Sequence, residues 1–309
     1  MDYENREVPE GAKPAHDAGE SREGELARVA RGTLSASGAP MSIGALERAL
    51  AERFPAEDAE SWDRTGLLVG DRSKTVTGVA CTLDPTIAAI EAAAASGANV
   101  LLTHHPAFLD PPSTFGPASS VALNPGAGVY RAIELGVALM NFHTALDVSA
   151  EAQQMLPAML GLELVDVVEK LPGKPGKGYG QLCAFNGETL TISQMAARCT
   201  SVFGRMPRVW GDAGKPLSSV VTCTGSAGST GRAALAAHVD CLIAGEVKYH
   251  EALDLSAAGL AVIELGHDVS ELPFANVLAR AACDAGVDRS GVIIVGQHER
   301  WTYPESVRV

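Results

Sequence analysis

Histidines in this sequence concentrate where apolar stretches end. His104 and His105 close the run VLLTHH, His143 closes VALMNFH, and His267 closes LAVIELGH. Four of the eight histidines thus stand at the ends of three apolar runs. Imidazole is a ligand for zinc, iron, manganese and similar divalent ions. The alternative for an adjacent pair such as His104 and His105 is one buried and one surface side chain.

Two of these histidines have a carboxylate four residues later. Asp147 follows His143 in HTALD, and Glu271 follows His267 in HDVSE. A carboxylate can bridge two cations, which an imidazole cannot. Two divalent ions held ~3.5–4 Å apart lower the pKa of a bound water and stabilise the attacking and leaving oxygens of a displacement. The pattern predicts a divalent-metal site with hydrolysis as its chemistry.

The segment GEVKYHE follows a further apolar run and contains three polar candidates. Glu246 and His250 are candidate proton carriers, and Lys248 is a candidate contact for an anionic substrate group. The alternative is a charged helix start with solvated side chains. The glycine-rich turn at 224–232, which ends on Arg232, can hold a phosphate through its backbone N–H groups but fits no standard nucleotide motif.

Trp62 and Asp63 open the segment SWDRTGLLVGD, a polar turn before an apolar stretch. Both are candidate substrate-binding residues, because a tryptophan can form the wall of a cleft. The alternatives are a tryptophan that fills the core, the commoner role, and an aspartate that caps a turn.

Alternating strands and helices must position these residues. The predicted strands are 76–84, 98–106, 137–143, 217–225, 240–246 and 260–267, and the predicted helices are 85–97, 128–136, 191–203, 230–238 and 250–259, after a first helix that Ser42 caps. Such alternation is typical of an α/β fold with a mostly parallel sheet. Ligands of these folds bind beyond the carboxyl ends of the strands, where the histidines lie.

The second half of the chain repeats the first. Aligning Asn99 with Asp240 superposes VLLTHH on CLIAGE, and aligning His143 with His267 superposes ALMNFHTALD on VIELGHDVSE. We therefore predict two related α/β lobes, each with a mixed, mostly parallel sheet flanked by helices, and a metal site between them. The predicted divisions are a disordered extension at 1–40, a first lobe at 41–165 and a second lobe at 166–309.

Composition excludes several classes of protein. The 309 residues are 46% hydrophobic, enough for a full core, and carry a formal net charge of −13. This charge argues against direct nucleic-acid binding, although it leaves room for a local basic pocket. The six cysteines form no CxxC pair, which argues against a disulfide framework or a cysteine zinc site. We find no leader and no long apolar run, and we expect a cytoplasmic protein without membrane contact.

Five segments, taken in order, resemble the NGG-interacting-factor-three-like family, whose members are also called GTP cyclohydrolase I type 2 homologues. They are WD-x-x-GLLVGD at 62–71, THHP at 103–106, HTALD at 143–147, GEVKYHEA at 245–252 and GHDVSE at 266–271. The resemblance covers about residues 41–309. The chain departs from the family pattern at Arg64, where asparagine is usual, and it has no long inserted domain, as in the short form of the family.

The resemblance implies a centre of two divalent metal ions between the lobes, and homohexameric rings with the centres facing an internal cavity. Carried over by motif, the metal ligands are His104, His105, Asp147, His267 and Glu271, with Glu271 as the bridge. His143 is implied behind them, orienting or capping the site. The family label implies hydrolytic opening of a guanine ring.

Three functions compete at this point. The first is a metal-dependent hydrolase acting on a nucleotide or another small anionic substrate. The second is a non-catalytic protein that handles metal or binds a partner. The third is a nucleic-acid or transcription-associated module, which the acidic charge argues against. Residue types leave the identity of the metal open among zinc, manganese, iron and similar ions.

Overall fold

The computed structural model describes residues 40–296 and Trp301. The extension predicted at 1–40 lies, apart from Pro40, outside the described residues. All six cysteines are free thiols, and five of them are buried. Among the described residues, no helix combines the length and apolar character needed to cross a membrane.

Helices and strands alternate along most of the described chain. The helices are α1 (Ile43–Arg53), α2 (Ile87–Ala95), α3 (Ala127–Leu135), α4 (Thr144–Asp147), α5 (Ala150–Met159), α6 (Ile192–Phe203), α7 (Thr230–Ala236), α8 (Tyr249–Ala257), α9 (His267–Glu271) and α10 (Phe274–Asp284). The strands are β1 (Gly66–Val69), β2 (Val79–Thr82), β3 (Val100–Thr103), β4 (Ala138–Asn141), β5 (Leu162–Lys170), β6 (Gly178–Phe185), β7 (Leu190–Thr191), β8 (Arg208–Trp210), β9 (Pro216–Leu217), β10 (Ser219–Ser226), β11 (Cys241–Glu246), β12 (Ala261–Glu264) and β13 (Val292–Ile294).

The first sheet has the strand order β1-β4-β3-β2-β13. Strands β13, β2, β3 and β4 are parallel, and β1 runs antiparallel along the β4 edge. Every residue of β2, β3 and β4 is buried, because helices cover both faces of the sheet. One apolar cluster packs α1 and α10 against one face, and another packs α2 and α3 against the opposite face.

The second sheet has the order β5-β6-β10-β11-β12-β8. Its centre, β10-β11-β12, is parallel, whereas β5 and β6 on one side and β8 on the other are antiparallel to their neighbours. Helices α7 and α8 lie against one face and α5 and α6 against the other. Two sheets flanked by helices confirm the predicted α/β class, and the antiparallel strands flank the parallel strands that lead to the site.

The paired strands agree with the internal repeat. Strands β3 and β4 are parallel neighbours in the first sheet, and their counterparts β11 and β12 are parallel neighbours in the second. A short helix follows each last strand, namely α4 after β4 and α9 after β12. The two halves of the chain therefore present equivalent strand ends.

The chain returns to the first sheet after completing the second. Helix α10 supplies Phe274, Val277 and Leu278 to the core of the first sheet, and β13 pairs with β2. The division predicted at about residues 165 and 166, with lobes that could interleave, stays a prediction; α10 and β13, from the far end of the chain, join the first sheet. This return path places the segment before α10 beside the ends of both sheets.

Candidate metal centre

His104 and His105 lie directly after β3, where the strand hydrogen bonds continue for two residues. The His104 amide donates to the Thr82 carbonyl at 3.3 Å, and the His105 amide donates to the Leu83 carbonyl at 3.0 Å. The centroids of the two imidazole rings are nevertheless only 5.1 Å apart. The backbone therefore turns at the strand end so that adjacent side chains converge, as the sequence predicted.

Asp147 and Glu271 reach the same place from equivalent helices. Asp147 is the last residue of α4, and Glu271 is the last residue of α9. The side chain of Glu271 is only 5% exposed. His267 begins α9, so that one helical turn brings His267 and Glu271 to the same side of the helix.

The Glu271 carboxylate lies at the middle of the cluster, and each of its oxygens faces different ligands. Oε2 is 3.0 Å from His105 Nε2 and 3.1 Å from His267 Nε2. Oε1 is 3.6 Å from His104 Nε2, and Asp147 Oδ1 is 3.5 Å from that same nitrogen. Glu271 belongs to two of three overlapping groups of potential metal ligands, one with His105 and His267 and one with His104 and Asp147; the third is His104, His105 and His143.

A hydrogen-bond acceptor holds the Nδ1 atom of each imidazole. These pairs are His104 with the Phe142 carbonyl at 3.1 Å, His105 with Asp84 at 2.8 Å, His143 with Asp63 at 3.0 Å, and His267 with Glu246 at 3.1 Å. An imidazole that donates its Nδ1 proton keeps the Nε2 lone pair for a metal, and its ring orientation is fixed. The neighbours of the histidines therefore prepare them as ligands.

Two polar atoms of the cluster are buried without a hydrogen-bond partner. They are His104 Nε2 and Asp147 Oδ1, and the whole His104 side chain has no solvent exposure. Leaving such atoms unpaired costs about 1–3 kcal/mol each. A divalent cation between them would satisfy both, and nitrogen and carboxylate donors match the preferences of zinc, iron and manganese. The residues present therefore fit a metal ion.

Charge is strongly coupled within the cluster. Burial disfavours charge on His105, but hydrogen bonds with Asp84 and Glu271 outweigh it and raise the pKa of His105 to about 10. The hydrogen bond with Glu271 raises the pKa of His267 to about 9, against the effect of burial. Burial alone would raise the pKa of Glu271, yet the surrounding imidazoles hold it well below its usual value. Burial raises the pKa of Asp147.

His143 lies against His104 and His105 and could hold a metal ion together with them. Its ring meets the rings of His104 and His105 edge-on, with centroids 5.1 and 5.6 Å apart. Asp63, predicted as a substrate contact, has a fully buried side chain that binds His143 Nδ1 and accepts from the Thr144 amide at 3.0 Å. The structure thus places Asp63 behind His143 and not on an open surface.

A cleft of about 610 Å³ opens onto the centre, a volume typical of small-molecule sites. Trp62, 55% exposed, lies on its wall next to His143. The ligands Asp147, His267 and Glu271 also line the cleft. Of the two candidate substrate contacts in this segment, the structure brings Trp62 to the cleft.

The candidates from GEVKYHE separate. Glu246 and Lys248 line a smaller cavity of about 320 Å³ that adjoins the cleft. His250 is exposed on α8, with its ring against Tyr249, and it is absent from the lining of both cavities. The structure therefore connects Glu246 and Lys248 to the site but not His250.

Residues that the sequence did not suggest also shape the centre. Asp84 follows β2, the neighbour of β3, and the strand-end rule applied to β2 would have found it. The Arg205 side chain is 5% exposed and binds both carboxylate oxygens of Asp268 in α9, at 2.7 and 2.8 Å. No local sequence pattern predicts this residue. Arg64, the departure from the family pattern, donates from its side chain to the Leu109 carbonyl and ties the Trp62 turn to the loop after β3.

Fold and cluster together define a class: a two-sheet α/β protein whose strand ends form a histidine and carboxylate metal-binding cluster. The sequence model of the Duf34/NIF3 (NGG1p interacting factor 3) family matches residues 41–293 of this chain. The chain belongs to this family, which confirms the resemblance found in the sequence.

Curated relatives match over most of their length. A Streptomyces coelicolor protein named GTP cyclohydrolase 1 type 2 homolog is 30% identical over 253 residues, which is 79% of this chain and 86% of the relative. A Clostridium perfringens protein of the same name is 28% identical over 220 residues, covering 71% of this chain and 82% of the relative.

Solved structures share the fold. A hypothetical protein from Staphylococcus aureus superposes with a TM-score of 0.77 at 22% identity, covering 86% of this chain and 100% of that chain. A Bacillus cereus protein related to NIF3 superposes with a TM-score of 0.74 at 16% identity, covering 84% and 98%. At these identities the likeness extends to the fold alone.

Proposed function

We propose that this protein is a metal-dependent hydrolase with two divalent ions, acting on a nucleotide or a similar small anionic substrate. The observation that carries the proposal is the arrangement around Glu271. One carboxylate oxygen faces His104 and Asp147, and the other faces His105 and His267. A bridging carboxylate between two ligand groups is an arrangement that suits a pair of ions.

When bound, such ions would supply the Lewis acidity that activates water and polarises the substrate. The chain's own contribution is to hold the ligands in place. Asp84 and Glu246 fix the rings of His105 and His267. Trp62 and His143 form a wall of the cleft, where an aromatic face can stack on a planar ring.

We assign proton transfer to Glu246. Its side chain is 56% exposed and lies beside the centre, with Oε2 accepting from His267 Nδ1, so that one oxygen remains available to a substrate or to water. His250, the other candidate from the sequence, lies outside the lining of the cleft. Glu246 can therefore both orient a ligand and carry a proton.

Relatives named GTP cyclohydrolase 1 type 2 homolog suggest GTP as the first substrate to test. Hydrolytic opening of the guanine ring with loss of formate is a reaction that an activated water can begin. The cleft volume of about 610 Å³ falls within the range of nucleotide-sized pockets.

The experiment combines elemental analysis with formate release from GTP and a panel of nucleotides and phosphoesters. We expect about two metal ions per chain in the wild type and a clear loss of metal in Glu271→Ala. Glu246→Gln keeps an acceptor for His267, so we expect it to keep its metal and to lose about 100-fold or more in turnover.

The control is His238→Asn. His238 is exposed and has a φ of 55°, a conformation that asparagine tolerates, and its metal content should equal that of the wild type. Equal metal content in Glu271→Ala and the wild type would remove the proposed centre. Metal-replete protein without turnover on any substrate of the panel would instead leave a non-catalytic metal-binding protein.

A further inference from the structure

The smaller cavity next to the metal cleft, here called the side cavity, is continuous with that cleft. Ser226, Gly228 and Ser229 line both. The rest of its wall consists of charged side chains, Arg232, Glu246, Lys248 and Glu251. We propose that the side cavity binds the phosphate arm of a substrate whose reacting part lies at the metal centre. This inference rests on the proposed function for the position of the reacting group.

Two cations approach the side cavity from different elements. Arg232 comes from α7, and Lys248 immediately precedes α8. Both side chains are exposed, and within the described part of the chain neither forms an ion pair. A guanidinium and an ammonium group that line one cavity, neither of them held in an ion pair, suit a multiply charged oxyanion, because charge-assisted hydrogen bonds to phosphate are the stronger ones.

The two carboxylates of the side cavity are not equivalent. Glu246 already accepts a hydrogen bond from His267 Nδ1 at 3.1 Å. Glu251 has no ion-pair partner among the described residues. It therefore opposes the binding of an anion. Neutralising Arg232 should therefore weaken anion binding in the side cavity, and neutralising Glu251 should strengthen it.

The wall shared by the two cavities is held rigidly. Glu169 accepts from the hydroxyl groups of Ser229 and Thr230, both at 2.6 Å. The Ala227 amide donates to the Glu246 carbonyl at 2.9 Å. A turn fixed in this way binds an anion without first losing conformational entropy.

The arrangement points to a phosphorylated small molecule, with its phosphate and its reacting atom at separate positions. A nucleoside phosphate meets this description, and a free nucleoside does not. In a chain with a formal net charge of −13, Arg232 and Lys248 place two cations on the wall of the side cavity.

The test compares the binding of GTP and guanosine by calorimetry, using the full chain dialysed against a chelator. Without metal, neither turnover nor phosphate coordination to an ion contributes. We expect the wild type to bind GTP at least tenfold more tightly than guanosine. Arg232→Gln and Lys248→Gln should each reduce that preference roughly tenfold, and Glu251→Gln should increase it.

The matched control is Arg280→Gln. Arg280 is another exposed helical arginine, on α10, and lies outside both cavities, so its replacement should leave the preference unchanged. Equal binding of GTP and guanosine by the wild type, or an unchanged preference in Arg232→Gln, overturns the inference. If the wild type preferred GTP to guanosine but turned over no substrate, only the proposed hydrolase activity would be rejected. If it turned over GTP without that preference, only the phosphate site in the side cavity would be rejected.

Discussion

When no metal is bound, histidines of the candidate centre are protonated. The pKa of His105 is raised to about 10 and that of His267 to about 9, so both rings are protonated at neutral pH in the metal-free protein. A metal binds only the neutral form of a histidine. Metal binding and proton release are therefore coupled at this site.

We predict that metal binding at pH 7.5 releases about two protons per chain, and that the release disappears above the raised pKa values. Calorimetric titrations in buffers with different ionisation enthalpies measure this number directly. His105→Ala provides the comparison, because it removes one of the two raised groups. Metal binding without proton release at pH 7.5 would contradict the charge state described here.

The same shifts set the stability of the metal-free fold. A pKa raised in the folded state means that the protonated form stabilises the fold. That contribution is fully present below pH 6.5, the ordinary value for histidine, and is lost as pH rises through about 9 to 10. The metal-free protein should therefore lose stability over this range.

At the scale of single residues, the sequence pointed to the side chains that the structure brings together as candidate ligands, but not to the groups that hold them in place. His104, His105 and Glu271 stand at strand ends or four residues beyond one, which local patterns reveal. The partner of His105 is Asp84, and its position depends on how β2 pairs with β3. Strand pairing is a long-range property, so the sequence can show Asp84 at the end of a strand but not its contact with His105.

At the scale of elements, a close crossing of backbones positions Glu271. Gly225 at the end of β10 has a φ of +59°, and a Cβ there would lie 2.1 Å from Glu271 Oε1. The Gly225 amide donates to Ser270 Oγ at 2.9 Å. The end of β10 therefore helps to position the Glu271 carboxylate.

We predict that Gly225→Ala displaces the Glu271 carboxylate and lowers metal content. Gly228→Ala is the matched control, since Gly228 lies in the same turn with a φ of +51° and would place a Cβ in open space. Both variants carry about 1–2 kcal/mol of backbone strain. Thermal unfolding measures the loss of stability caused by backbone strain, and elemental analysis measures the loss of metal. Equal metal content in both variants would show that Gly225 does not position Glu271.

Helix positions explain why one candidate from the sequence is separated from the site. Helix α8 begins at Tyr249, and His250 in its first turn is exposed. The sequence located this helix well but could not fix the direction of one side chain near its start. Glu246, at the end of β11, sits where strand ends meet, and the strand-end rule therefore applied to it.

At the scale of the whole molecule, the assembly into homohexamers implied by the family resemblance remains a prediction. The loop between β3 and α3 exposes apolar side chains, with Val121 at 92% and Leu123 at 99% exposure. Exposed apolar groups that lie together are typical of contact surfaces between proteins. This loop is a place where copies of the chain can meet.

We expect light scattering to give a mass six times that of the 32.0 kDa chain. Leu123→Lys should lower this mass, because a charge on a buried contact surface opposes association. Arg131→Gln, a change at an exposed ion pair with Glu91 on α2, serves as the control. A monomeric mass for the wild type at micromolar concentration would contradict the predicted assembly.

The return of the chain to the first sheet was not predictable from local patterns. Sequence placed residues 166–309 in a second lobe, yet Phe274 packs against the His104 ring with centroids 4.6 Å apart. The contact joins residues 170 positions apart, and no periodicity within either segment encodes it. The fold class followed from the alternation of strands and helices, whereas the order of the strands and the way the halves connect did not.

That return path sets an order of events during translation. When Ala261 is the last residue added, the chain already contains His104, His105 and Asp147, but Glu271 is not yet made. The Glu271 carboxylate arrives only with the segment that docks α10 onto the first sheet. Products truncated before Glu271 therefore lack the complete cluster of candidate ligands.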